Sequence, residues 1–138
     1  MKSKNLALII FLQLVMIQFA SAQSFFSCDY RQFCTWNSTN KKFEDCKSSS
    51  YKSLFKLNAD ETVFIHTTEG QESYYYVTAK EYDAEKEVFT YYVNSDSGNK
   101  YYFVLDIKNK QLRALPLSSD DNMTMIVFII KAMWSEKS

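Results

Sequence analysis

Few residues in this chain are equipped for chemistry. His66 is its one histidine, and an imidazole can serve as a general base near neutral pH. A nucleophilic site needs three placed groups, and spacing puts neither a Ser or Cys nucleophile nor an orienting carboxylate beside His66. It is expected to be an ordinary hydrogen-bonded or exposed histidine. A hydrolase or isomerase using His66 and Asp106 is the weakest functional reading. Asp106 and Arg113 face each other if the turn between them is centred on Asn109-Lys110. They read as a cross-strand ion pair, or as a polar anchor in a pocket, where few polar groups set orientation.

The cysteines are Cys28, Cys34 and Cys46, an odd number. A turn centred on Asn40 sets Cys34 opposite Cys46. The alternative pairs Cys28 with Cys46 and leaves Cys34 a buried thiol between Phe33 and Trp36. Spacing leans to Cys34–Cys46. One histidine and no C-x-x-C pair argue against zinc, and no cofactor is implied.

Tyrosine is the stronger signal. Ser73–Val93 reads SYYYVTAKEYDAEKEVFTYYV, and Tyr101 and Tyr102 follow it. Phenol rings join a large apolar body to a polar tip and lose little entropy when held. Tyrosine is also a good strand former in any sheet.

The elements that must position these residues are strands. Apolar runs rich in Val, Ile, Phe, Tyr and Thr alternate with short polar turns. The runs are Phe25–Trp36, Lys42–Cys46, Tyr51–Leu57, Thr62–Thr67, Glu72–Tyr82, Glu87–Asn94, Lys100–Ile107, Gln111–Leu117 and Met123–Trp134. Short connections make successive strands antiparallel neighbours. The fold class is all-β: an antiparallel meander of about eight or nine short strands, as a small barrel or strongly curved sheet. The last run is apolar on both faces and would close a barrel against the N-terminal strands.

Register divides the side chains between two faces. A turn centred on Ser97, with Gly98 in the left-handed position, sets Phe89, Tyr91 and Val93 against Leu105, Phe103 and Tyr101. A turn centred on Gly70 sets Val63 and Ile65 against Val77 and Tyr75. These residues would form the core face. The reverse face would then gather Tyr74, Tyr76, Tyr92 and Tyr102 with His66, Asp106 and Arg113. That face is the candidate binding surface.

Residues 1–22 read as a secretory signal peptide. Lys2 and Lys4 precede an apolar run, and Ala20-Ser21-Ala22 suits cleavage after Ala22. Residues 23–138 would be one all-β domain, secreted or periplasmic. Losing Lys2 and Lys4 lowers the basic count from 16 to 14, against 16 acidic residues. With no basic cluster, nucleic acid is not an expected partner. No integral membrane segment is expected after cleavage, because the strands and loops are short for a transmembrane barrel. Asn37-Ser38-Thr39 and Asn122-Met123-Thr124 fit the N-glycosylation pattern.

In architecture alone, the meander resembles the calycin class of small ligand-binding barrels. The Gly-x-Trp start of the lipocalins is absent, since Cys34-Thr35 precede Trp36. There is also no helix–turn–helix lid, so no ligand residues transfer. The leading expectation is a non-enzymatic domain that binds a small ligand or protein partner through the tyrosine face. The alternative is a structural or assembly module with no specific ligand.

Overall fold

Eight strands follow one another in chain order in a computed structural model that describes residues 22–117 and 123–137. They are β1 Ala22–Asn37, β2 Lys42–Leu57, β3 Val63–Thr68, β4 Gln71–Asp83, β5 Val88–Ser95, β6 Lys100–Asp106, β7 Gln111–Pro116 and β8 Thr124–Lys137. The expected leader lies outside the described residues apart from Ala22, which opens β1. Asn122 of the second glycosylation pattern lies outside them too.

Each strand pairs antiparallel with its neighbour, and β8 returns to pair with β1. The sheet therefore closes into a ring, though not round one axis. Strand length accounts for the departure from a regular barrel. β1 and β2 have 16 residues each and β8 has 14, whereas β3 and β7 have six. β3 covers β2 only over Leu54–Leu57, and β7 covers β8 only over Ile126–Ile129. The three long strands thus overrun the ring. The runs Lys42–Cys46 and Tyr51–Leu57 join into one strand because β1 is long enough to pair with both.

Cys34 and Cys46 are disulfide-bonded, with Cα atoms 4.1 Å apart. The bond spans the β1–β2 register shift between Phe33 and Thr35, where Asp45 takes φ 53°. Cys28 is a free thiol, 1 % exposed. Burial, then the charge of Asp29, pushes its pKa up to about 12. It is therefore an inert core residue.

The core is aromatic. Phe26, Phe55, Phe64, Tyr91, Phe103 and Phe128 pack inside the ring with Leu57, Val93, Leu105, Leu112 and Ile130. Phe64 meets Tyr91 and Phe103 edge-on, at centroid distances of 4.9 and 5.3 Å. Edge-to-face pairs add to the stabilisation that burial supplies.

The register of β5 on β6 is the one expected: Phe89, Tyr91 and Val93 oppose Leu105, Phe103 and Tyr101. Gly98 has φ 87° in that turn. β6 and β7 are offset by two residues from expectation, so Leu105 rather than Ile107 opposes Leu112. An even slip leaves every side chain on its expected face. β3 and β4 differ by one residue, and that changes the site.

Candidate functional site

The β3–β4 turn is the two-residue pair Glu69-Gly70, with φ 40° and 80°. Two consecutive residues at positive φ suit a tight hairpin turn whose twist matches the strands. A turn centred on Gly70 alone does not form. Val63 consequently pairs with Tyr76, and Phe64 with Tyr75. A slip of one residue turns a strand over. Phe64 goes into the core, with no exposed surface, and His66 goes inside with it. The expectation that His66 shares a face with Tyr74, Tyr76, Tyr92 and Tyr102 is thereby corrected.

Inside, His66 lies flat on Phe55, with centroids 4.2 Å apart and planes 5° from parallel. Phe128 meets its ring edge-on at 5.4 Å. Burial, then the charge of Arg31, pulls the His66 pKa down to about 4. The imidazole is therefore neutral at pH 7. Its Nε2 is buried and has no hydrogen-bond partner.

Arg31 reaches the same place by a second irregularity. The register of β1 against both β2 and β8 shifts between Cys28 and Tyr30. Bulges of this kind re-aim side chains. Phe26 and Cys28 point into the core, Tyr30 turns outward at 54 % exposure, and Arg31 turns inward. Its guanidinium carbon sits 3.6 Å from the centroid of Tyr51 and 4.7 Å from that of Phe33. Its Nε is buried and, like His66 Nε2, has no partner. Ser53 Oγ, across from Cys28 on β2, is also buried without a partner but is not part of the cavity lining.

Arg31 and His66 line one cavity of about 230 Å³, together with Phe55, Tyr75, Tyr101, Phe103, Ala114, Ile126 and Phe128. It lies at the end of the ring that carries the β3–β4 and β5–β6 turns. Tyr75 and Tyr101 are half-buried there, 6.1 Å apart. A cleft of about 290 Å³ opens at the opposite end, lined by Phe26, Leu57, Phe89, Tyr91 and Trp134 among others. Its carboxylate, Glu61, is already engaged: it pairs with Lys80 and accepts from the Tyr91 hydroxyl at 3.0 Å.

The outer face keeps the four tyrosines. Tyr92 and Tyr102 oppose each other on β5 and β6 and meet edge-on at 4.9 Å. Tyr74 and Tyr76 lie on β4, and Tyr76 is 50 % exposed. A register shift at Thr78 ends the row, so Ala79 rather than Thr78 opposes Tyr92. Two of the phenols are tied to their own sheet: Tyr74 donates to Glu72 at 3.0 Å and Tyr92 to Glu81 at 3.4 Å.

Asp106 and Arg113 are not directly opposed. Asp106 faces Gln111, and Arg113 faces Val104. They still pair on the diagonal, at 3.5 Å. Asp106 is 4 % exposed and caps the β6–β7 turn, accepting from the Asn109 backbone N–H at 3.1 Å and from Asn109 Nδ2 at 2.9 Å. Burial works to raise its pKa, but those hydrogen bonds and the charge of Arg113 outweigh it and hold the carboxyl below its usual range. Asp106 is thus a turn residue at the end of the ring opposite His66, and the fold does not bring the two together.

Sequence reasoning singled out His66 but not Arg31. The inward aim of Arg31 depends on a register shift, and no local composition announces it. Among the described residues, no group of three or more His, Cys, Asp or Glu could hold a metal ion. No helix among them is long and apolar enough to cross a membrane. No family model, curated protein or solved structure matches this chain.

Proposed function

We propose that this chain is an exported, non-enzymatic binding module that holds one small, largely apolar ligand in the cavity inside its ring. The observation behind this reading is the cavity itself. Protein interiors are close-packed, with few voids larger than a water molecule. Here the ring leaves a hollow of about 230 Å³ at one end, half-open to its surroundings and walled largely by aromatic rings. An apolar lining with a few polar groups is the usual make-up of a ligand pocket. The leader pattern and the Cys34–Cys46 disulfide support a secreted or periplasmic location, where such bonds persist.

A second reading keeps the outer tyrosines as a partner surface, favoured by the exposure of Tyr76 and the edge-on contact of Tyr92 with Tyr102. The hydroxyls of Tyr74 and Tyr92, engaged within the sheet, rank it second.

A thermal-denaturation screen of compact aromatic and aliphatic compounds tests both. A compound that binds the folded state alone raises stability by about 2.7 kcal/mol at one hundred times its Kd. Ala114 lines the cavity, and Ala114→Phe would fill it with a phenyl group. That variant is expected to remain folded and to lose at least tenfold in affinity for any hit. The Tyr76→Ser/Tyr92→Ser double variant is expected to bind as the wild type does. The reverse pattern would move the site to the outer face. A screen without hits would favour a structural module.

A further inference from the structure

We propose that the ligand is a compact aromatic carboxylate, its ring among the cavity phenyls and its carboxylate at the Arg31 guanidinium, beside His66. This rests on reading the cavity as a ligand site and names the class of ligand.

Charge points to the anion. Among the described residues, the cavity lining contains one cationic side chain and no carboxylate. The ion pairs among the described residues are Lys42–Glu44, Lys80–Glu61, Arg113–Asp106 and Lys131–Asp29, and none of these carboxylates pairs with Arg31. Partial burial of an uncompensated cation is costly. Stacking on Tyr51 and Phe33 recovers part of that cost but gives Nε no acceptor. A carboxylate would supply the missing charge, and its planar geometry matches the guanidinium donors.

His66 lines the cavity beside Arg31. Phe55 covers one face of the imidazole and holds its plane. The His66 Nε2 is closed off from the cavity, so the imidazole contributes a wall and not a donor. Arg31 and His66 are close enough for the arginine charge to depress the histidine pKa. An anion bound at the guanidinium would reverse that effect.

Size and lining select the body of the ligand. The cavity is smaller than the roughly 300–1,000 Å³ of drug-sized sites. Phe55, Phe103, Phe128, Tyr75 and Tyr101 surround it, which suits a single aromatic ring.

Phenylacetate and phenylacetamide share a body and differ in charge, so titration calorimetry with the pair isolates the head group. Phenylacetate is expected to bind the wild type at least tenfold more tightly. Arg31→Met is expected to erase the difference. In ¹⁵N NMR, the Arg31 Nε–H signal is expected to shift as phenylacetate is added. Equal affinities in the wild type, or an Arg31 signal that stays still while phenylacetate binds, would overturn the carboxylate assignment and leave the cavity reading standing. If neither probe binds but neutral indole does, the assignment falls in the same way. If no probe binds, the cavity reading falls with it. Should Arg31→Met fail to fold, the wild-type comparison and the NMR titration remain decisive.

Discussion

Phe103→Ala is expected to destabilise the fold by about 3–5 kcal/mol, as removal of a buried phenyl generally does. Phe103 is 2 % exposed. Its ring sits 6.2 Å from Phe55, 5.3 Å from Phe64 and 4.9 Å from Tyr75. It also forms part of the cavity wall. Three aromatic neighbours would lose a contact, and a closed ring has little freedom to collapse around the gap. A small domain has roughly 5–15 kcal/mol in total, so a large fraction would go. Tyr102, its neighbour on β6, faces outward against Tyr92. Tyr102→Ala is expected to cost about 1 kcal/mol or less, the scale of one cross-strand pair. Urea titration of both variants checks the contrast. Similar losses would mean that the two faces of β6 are not divided as described.

Acid is expected to weaken the fold through His66 over a defined window. The folded pKa of about 4 lies below the ordinary value of 6.5. Between those limits the unfolded chain takes up a proton that the folded chain refuses. Stability from this residue is therefore full above about pH 6.5 and falls as pH drops toward 4. The loss is on the order of 2–3 kcal/mol. Asp106 behaves differently. Its lowered pKa gives stability that is present above its ordinary value of 3.8 and lost only as pH falls below it. The two windows separate cleanly. His66→Phe keeps a flat ring against Phe55 and removes the titrating group. It is expected to flatten the profile between pH 6.5 and 4. At pH 7 it is expected to gain about 1 kcal/mol, because Nε2 makes no hydrogen bond that the variant would lose. Urea unfolding at a series of pH values checks this, and an unchanged slope in the variant would assign the acid loss to another group.

How much of this could be read in the sequence follows from which features set strand parity. The β5–β6 hairpin was legible because Gly98 marks its turn and both strands alternate cleanly. The split of the tyrosines followed: Tyr91 is buried, Tyr75 and Tyr101 are half-buried inside the ring, and Tyr92 and Tyr102 are outside. The β6–β7 offset did no harm, since a two-residue slip keeps faces. On β3 the pattern was ambiguous. Val63, Phe64 and Ile65 are all apolar, so either face could have been the core, and the turn decided the matter. Glu69 at φ 40° is not a residue from which a left-handed conformation is read. The inward turn of Arg31 was the least legible feature. It requires β1 to slip against two partners at once, one of them more than 90 residues away in sequence, and long-range pairing leaves no local signature.

The outer tyrosines are conspicuous because they are numerous, whereas the meeting of Arg31 with His66 is produced by irregularities of the strands. A regular β1 would have carried Tyr30 inward and Arg31 to solvent. A β3 in the expected register would have put His66 outside. Both departures leave polar atoms without partners beside an aromatic cavity, at a cost to the fold. Functional sites are where such costs are commonly retained.

The most direct measurement is a ¹H–¹³C NMR map of the aromatic and methyl groups during titration with a small aromatic ligand. The expected result is that the largest shifts fall on Phe55, His66, Phe103, Ala114, Ile126 and Phe128, with Tyr74, Tyr76, Tyr92 and Tyr102 little changed. Shifts confined to the outer tyrosines, with a silent interior, would contradict an interior binding site.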